Sequence, residues 1–197
     1  MVEDEHWLDI SYLQQGTALQ KEVHTLLTEL NVLTVLSQYH PVLVGTVPLG
    51  IQVEGSDLDI ICEVHDREAF AAQVGLHFGE MDQYSCESRT VDGTPRIKIN
   101  FSVGGWPVEL FGQPRPSREQ NGYIHMVVEA RVLSILGDSF RKQVIQLKRQ
   151  GVKTEPAFAQ LLQLEGDPYE AVLGLDKLSE MELRALCGER SITNHTG

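Results

Sequence analysis

The sequence has few of the residues that mark secreted, membrane-spanning or metal-knuckle proteins. It contains three cysteines in 197 residues, and their wide spacing and odd number predict neither a disulfide framework nor a zinc site. No apolar run approaches the roughly 20 residues that cross a bilayer, and the N-terminus is acidic, unlike a signal or transit peptide. These absences predict a cytoplasmic protein with no membrane partner.

Basic residues are also scarce. The chain has 16 Lys and Arg against 28 Asp and Glu, a formal net charge of −12. Proteins that bind long nucleic acids usually present a basic face to the phosphate backbone. The acidic balance therefore disfavours a long duplex or a large RNA as partner, and it favours a small molecule, a metal complex or a cationic acceptor.

Hydrophobic periodicity divides the chain into two parts. Residues 1–16 are predicted to be loosely ordered. A capping box at Thr17 and Gln20 begins a helix, Asp66 is predicted to cap another, and short apolar runs over 42–44 and 56–64 predict buried strands. Three alternating runs over 84–111, separated by tight glycine turns, predict an antiparallel meander. Helical patterns follow, with a break predicted between helices over 118–136 and 138–149. We therefore predict an α/β (α+β) core over residues 1–115, a helical part over 116–188 and a disordered tail over 189–197.

Two acidic residues interrupt the second apolar strand. Asp57 and Asp59 alternate along the predicted strand, so their side chains share one face. Burying two carboxylates costs several kcal/mol unless a cation offsets their charge, and Mg²⁺ prefers carboxylate and phosphate oxygens. A two-metal site for phosphoryl transfer needs a further carboxylate, and Glu109 is the candidate because it lies in another apolar strand.

A glycine-rich segment lies between the two predicted strands. Gly45 and Gly50 allow the backbone to turn tightly after a strand and to present N–H groups, which bind phosphate oxygens in many proteins. The hydroxyl of Thr46 adds a donor. The segment and the acids together predict a site for a metal ion and a phosphorylated ligand.

These residues resemble the signature of polymerase-beta-type nucleotidyltransferases. That signature is a strand, Gly-Ser or Gly-Thr, a further glycine, and Ser-Asp-x-Asp in the next strand; the matching residues are Gly45, Thr46, Gly50, Ser56, Asp57 and Asp59. Over roughly residues 15–176 the chain is also similar to a bacterial family of uncharacterised function within this superfamily. The resemblance implies a nucleotidyltransferase-like mixed sheet with flanking helices, followed by a helical half.

The resemblance also implies an activity and its residues. The implied reaction is magnesium-dependent transfer of a nucleoside monophosphate from an NTP to a hydroxyl or amine acceptor, with a small molecule or protein favoured over a long nucleic acid. Two Mg²⁺ ions are expected. The implied catalytic and metal-binding residues are Asp57, Asp59 and Glu109, and the implied phosphate-binding residues are Gly45, Thr46, Gly50 and Ser56.

The sequence departs from the superfamily pattern in ways that keep a second hypothesis open. Pro48 removes one N–H group from the phosphate loop, the third carboxylate is Glu109 rather than the commoner Asp, and no Arg or Lys lies between Gly45 and Gly50. The alternative is a non-catalytic module of the same fold that senses nucleotides or binds a partner.

Basic and polar residues outside the motif are the remaining candidates. Lys98 on a predicted strand and Lys148 and Lys153 in the helical part are predicted to bind the nucleotide phosphates. Arg96, Asn121 and His125 are further candidates for lining a cleft. The alternatives are a half-exposed strand for Arg96 and Lys98, a solvated helical stripe for Asn121, His125 and Glu129, and charges that complement a helix C-terminus for Lys148 and Lys153.

Overall fold

The computed structural model describes the backbone of residues 5–193 and the side chains of residues 5–188. These residues form two compact units. The first comprises the described part of Met1–Gly50 together with Gly55–Tyr123, and the second comprises Ile51–Glu54 together with the described part of Ile124–Gly197. The first unit ends at Tyr123, eight residues after the boundary predicted at residue 115.

The first unit is built on a five-stranded mixed sheet. Its spatial order is β1-β2-β5-β4-β3. All pairs are antiparallel except β2 with β5, which is parallel. The strands are β1 (Val42–Val44), β2 (Leu58–Glu63), β3 (Asp82–Val91), β4 (Thr94–Val103) and β5 (Trp106–Gln113).

The predicted meander is confirmed as β3-β4-β5. The turn at Asp92-Gly93 has φ values of 48° and 76°, and the turn at Gly104-Gly105 has φ values of 57° and 82°. Two successive positive φ values are those of the hairpin turn whose twist matches the strands it joins, which explains why Gly occupies three of the four positions.

Helices cover one face of this sheet. They are α1 (Ala18–Glu29), α2 (Val32–Val35), α3 (Thr46–Leu49) and α4 (Arg67–Phe78). The caps predicted for α1 and α4 are present: Thr17 and Gln20 form a complete capping box, and Asp66 accepts a hydrogen bond from the Ala69 N–H. The apolar stripes of α1 and α4 bury themselves against alternate strand residues, and this core includes Val23, Leu27, Phe70, Val74, Ile60, Leu110 and Ile99.

The segment before α1 is more ordered than the sequence predicts. Residues 1–16 carry no clear helical period, but Glu5–Leu8 and Ile10–Gln15 form 3-10 helices. Leu13 is fully buried in the core of the first unit. The prediction of a loosely ordered segment is therefore wrong for residues 5–15. The buried Leu13 and the cap at Asp9 stabilise these turns, which are too short to show a helical period in the sequence.

Helices make up most of the second unit. They are α5 (Asn121–Arg149, beginning in the first unit), α6 (Thr154–Leu161), α7 (Pro168–Gly174) and α8 (Glu180–Thr193). Gly137 breaks α5 with φ 69° and ψ −160°, which confirms the break predicted between two helices there. Asp167 caps α7 by accepting from the Tyr169 and Glu170 N–H groups. The core includes Val128, Val132, Phe140, Val144, Phe158, Val172 and Leu183.

Two further expectations concern the ends of the chain and the membrane. The backbone of α8 continues to Thr193, five residues into the segment 189–197 that the sequence predicts to be disordered; residues 194–197 lie outside the described part. Within the described residues, none of the helices has the length and apolar character that crossing a bilayer requires.

Candidate active site

Asp59 and Glu109 occupy neighbouring positions on two adjacent strands. They are register partners in the parallel pair β2–β5, so both side chains leave the same face of the sheet. That face is opposite to the one that buries Ile60 and Leu110 in the core. Both acids are half-buried. The sheet thus brings together two of the three carboxylates that the sequence proposes.

The glycine segment begins beside Asp59. Val44, the last residue of β1, pairs with Asp59 across the strands. Gly45 follows with φ 78° and ψ −143°, a region that is essentially restricted to glycine. A Cβ atom at this position would overlap Oδ2 of Asp59. The sequence therefore needs glycine here for two reasons, the backbone conformation and the close approach of a carboxylate.

The segment from Thr46 to Gly50 forms a single short turn. Thr46–Leu49 is the four-residue helix α3, and Gly50 ends it in the left-handed conformation with φ 65°. Thr46 is half-buried, whereas Pro48 is buried within the turn. Pro48 is accommodated because it lies in the first turn of a helix, where a backbone N–H has no intrahelical partner.

Gln20 holds this turn from the N-terminal helix, a role that the sequence does not reveal. Its Nε2 donates to the carbonyl oxygens of Val47 at 2.8 Å and Pro48 at 3.2 Å. The sequence indicates Gln20 only as the third residue of a capping box. A buried amide that satisfies two carbonyls of another element is a tertiary contact with no local sequence signal.

Replacing Gln20 should therefore weaken the first unit. We expect Gln20→Leu to lower the free energy of unfolding by about 1–3 kcal/mol, because it leaves the two buried carbonyls of the turn without a donor. Urea denaturation followed by circular dichroism measures this change. The matched control is Gln15→Leu, since Gln15 is exposed; equal stability of the two variants would contradict the assignment.

Asp57 does not lie where the sequence places it. The predicted strand begins at Ser56, but β2 begins at Leu58, whose partner Val108 is the first residue of the β2–β5 register. Asp57 is exposed and Ser56 is half-buried. The expectation of two buried acids is therefore wrong for Asp57, because strand pairing starts at Leu58, two residues after the predicted start, and leaves the Asp57 carboxylate in water.

Lys98 contacts a carboxylate directly. Its Nζ lies 3.0 Å from Oε2 of Glu109, and the two side chains are 39% and 27% exposed. Lys98 is therefore on the same sheet face as the acids, as the strand alternation predicts. Its predicted role in binding phosphate stays a prediction, and the contact seen here is an ion pair with the third proposed catalytic residue.

Arg96 and Asn121 lie on the margins of this arrangement. Arg96 is half-buried, two residues before Lys98 on β4, and its Nε is buried without a hydrogen-bond partner. Asn121 is exposed at the first residue of α5. A Cβ atom at the next residue, Gly122, would lie 3.7 Å from Ile61 and Val44, so the beginning of α5 packs on the site face of β1 and β2.

Two of the three proposed carboxylates are suited to a metal ion. Within the described residues, no group of three His, Cys, Asp or Glu side chains is placed to hold one. Asp57 and Asp59 are of the type that binds Mg²⁺ together with substrate phosphates. Glu109 does not fit as a third ligand in this arrangement, because its Oε2 is held by Lys98.

The sequence matches a known family over residues 25–175, and that family is described as "Domain of unknown function (DUF4269)". The chain belongs to this family. No curated protein matched the chain in the corresponding comparison. The family match covers the glycine segment, the three acids, Lys98 and both lysines of the helical part.

Solved structures with a similar fold include an RNA terminal U-transferase and a poly(U) polymerase. The structure of a cytoplasmic RNA terminal U-transferase matches with TM-score 0.50 and 14% identity over 79% of this chain and 47% of that chain. The Cid1 poly(U) polymerase bound to Mg 3'-dATP matches with TM-score 0.48 and 14% identity over 77% and 46%. The GLD-2/RNP-8 complex matches with TM-score 0.49 and 16% identity over 73% and 56%.

The matches to solved structures concern the fold of this chain and not its substrate. At 14% identity, the match with TM-score 0.50 shows the fold alone, which is the nucleotidyltransferase fold that the sequence resemblance implies. The chain spans about half the length of the solved structures it matches, 46% in the first of them. Fold does not specify a substrate, since one fold serves many reactions.

The second unit contains a buried polar cluster that includes one predicted cleft residue. His125 lies with Nδ1 3.2 Å from Oε1 of Glu155 and Nε2 3.1 Å from the carbonyl oxygen of Tyr169. His125 is 8% exposed and Glu129 is 3% exposed. The alternative of a solvated helical stripe is therefore wrong for these two residues, because α6 and α7 cover that side of α5.

Burial and charge set the ionisation of the two glutamates in this cluster. Burial raises the pKa of Glu129 well above its usual value, the charge of Glu155 adds to this, and the charge of Lys148 opposes it. Burial also tends to raise the pKa of Glu155. Hydrogen bonds from His125 and from its own N–H, with the charges of His125 and Lys148, outweigh that effect and lower it.

The two lysines of the helical part differ in their surroundings. Lys148 is half-buried, and its Nζ donates to Oγ1 of Thr154 at 2.8 Å. Lys153 is exposed at the residue before α6. Both lie in the second unit, and their predicted contact with nucleotide phosphates stays a prediction.

Proposed function

We propose that the chain is a nucleotidyltransferase that moves a nucleoside monophosphate from an NTP to a hydroxyl or amine acceptor. The observation that supports this most directly is the pairing of Asp59 with Glu109 on adjacent strands, with the Gly45 turn against the Asp59 carboxylate. The nucleotidyltransferase fold supports it as well. A small molecule or a protein is the favoured acceptor, since the chain carries a net charge of −12.

The reaction needs opposite charge near the triphosphate and a group that receives a proton. Mg²⁺, when bound with the NTP, supplies charge neutralisation, and Asp57 and Asp59 are the proposed ligands. The turn from Gly45 to Gly50, with Thr46 and Ser56, is proposed to position the phosphates. Lys153 and Lys148 are proposed as further phosphate partners.

Glu109 is proposed as the base. The acceptor oxygen or nitrogen forms a bond to the α-phosphorus, the bond from that phosphorus to the oxygen bridging it to the β-phosphorus breaks, and pyrophosphate leaves. The acceptor proton passes to the carboxylate of Glu109, whose Oε2 is paired with Lys98. Positioning and charge account for most of the acceleration in reactions of this type.

Turnover of radiolabelled NTPs tests the proposal. Each of the four NTPs is incubated with the protein, Mg²⁺ and mixtures of hydroxyl or amine acceptors, and release of pyrophosphate is measured. We expect Asp59→Asn to lower the rate by about 100-fold or more. The control is Asp82→Asn, which makes the same change at an exposed residue of β3.

Each outcome distinguishes between the two hypotheses. Pyrophosphate release that Asp59→Asn removes and Asp82→Asn preserves supports the enzyme. Binding of an NTP without release of pyrophosphate from any mixture supports the non-catalytic module, which the pairing of Glu109 with Lys98 also favours. Release that is unchanged by Asp59→Asn would exclude this site as its source.

A further inference from the structure

Glu109, the carboxylate expected as the third metal ligand, forms an ion pair with Lys98. Across β4 and β5, Asn100 is opposite Glu109 and Lys98 is opposite Phe111. Lys98 is therefore the diagonal same-face neighbour of Glu109, a distance that a long side chain spans. The ammonium reaches Oε2 of Glu109 at 3.0 Å.

The direction of the Lys98 side chain is informative. Glu87 on β3 is directly opposite Lys98 and is exposed. The ion pair nevertheless forms with Glu109, which lies on the strand towards Asp59. The positive charge is thus placed on the side of β4 that faces the acids, rather than at the exposed edge of the sheet.

We propose that Lys98 takes the place of a second metal ion at Glu109, so that this site binds a single divalent ion through Asp57 and Asp59. The inference rests on the proposed nucleotidyl transfer only for the identity of the site. It concerns the number of ions bound, which is measurable without a nucleotide or an acceptor.

Formal charge supports one ion rather than two. The three carboxylates, Lys98 and one divalent ion together sum to zero. A second divalent ion would leave two positive charges, and it would have to lie near the ammonium that already holds Glu109. Like charges at such distances repel, whereas the existing pair already satisfies the carboxylate.

The available metal ligands also support one bound ion rather than two. Among the described residues, no group of three acidic, histidine or cysteine side chains is placed to hold a metal ion. A second ion would need Glu109 as a further ligand, and Lys98 holds one of its two oxygens. One ion with two carboxylates and otherwise water or substrate oxygens is a usual arrangement for Mg²⁺.

Mn²⁺ titration monitored by electron paramagnetic resonance tests the proposal without turnover. The signal of free Mn²⁺ gives the number of ions bound per chain. We expect one ion for the unmodified protein and two for Lys98→Met, because removal of the ammonium releases Glu109. The double variant Lys98→Met with Glu109→Gln should return to one.

Arg96→Met is the matched control, since Arg96 is two residues away on the same face of β4 and makes no ion pair with Glu109; it should bind one ion. Two ions in the unmodified protein, one ion in Lys98→Met, or no ion in either would each overturn the inference. A confirmed change from one ion to two in a protein without pyrophosphate release would uphold the ion count while excluding the enzyme.

Discussion

Gly45→Ala should both destabilise the first unit and displace the central carboxylate of the site. The backbone at this position has φ 78° and ψ −143°, and holding a residue other than glycine in such a region costs about 1–3 kcal/mol. The new methyl group would also overlap Oδ2 of Asp59. We expect the melting temperature to fall by about 2–4 °C for each kcal/mol lost, and pyrophosphate release to be abolished.

Gly93→Ala separates the two effects. Gly93 also has a positive φ, 76°, but a Cβ atom there would meet nothing within 4 Å. This control should show the backbone cost in a thermal scan and retain Mn²⁺ binding and turnover. If Gly45→Ala matched Gly93→Ala in both measurements, the close approach of Asp59 to the glycine would have no functional consequence.

Glu129→Gln should stabilise the second unit, and the gain should grow with pH. Burial, with the charge of Glu155, raises the pKa of Glu129 well above its usual value in the folded chain. The folded state therefore binds a proton that the unfolded state releases at lower pH. The stability that depends on this proton is complete below the unfolded pKa and is lost as pH rises towards and through the folded pKa.

The variant has no such proton to lose. We expect the two proteins to have similar pH dependence below about pH 4, and the difference in their free energies of unfolding to increase above it by at most about 1.4 kcal/mol per pH unit. Urea denaturation at a series of pH values from 4 to 9 measures the difference. Glu165→Gln, at an exposed residue of the same unit, should show no such growth.

Glu155 makes stability depend on pH in the opposite direction, and its contribution should be the same in the unmodified protein and in Glu129→Gln. Its pKa is lowered in the folded chain, so its contribution is present above the unfolded pKa and is lost as pH falls through the folded pKa. The unmodified protein should therefore be most stable at an intermediate pH, whereas Glu129→Gln should lose this decline on the alkaline side. A constant difference at all pH values would show that Glu129 is not protonated by burial.

The local elements of this protein follow from its sequence because their causes are local. The capping box at Thr17, the cap at Asp66, the glycine turns of the meander and the break at Gly137 each depend on residues within a few positions of one another. The strand alternation likewise predicts that Asp59, Glu109 and Lys98 avoid the core face. Spacing in the glycine motif indicates the fold.

Tertiary structure decided what those elements bring together. The parallel pairing of β2 with β5 sets Asp59 opposite Glu109. The pairing begins at Leu58 with Val108, so Asp57 lies before the paired strand and stays exposed. The donation of Gln20 to the α3 turn joins residues 27 and 28 positions apart. The burial of His125 and Glu129 depends on α6 and α7 covering α5. Such contacts arise from packing between distant segments, and a pattern within one segment does not encode its partner.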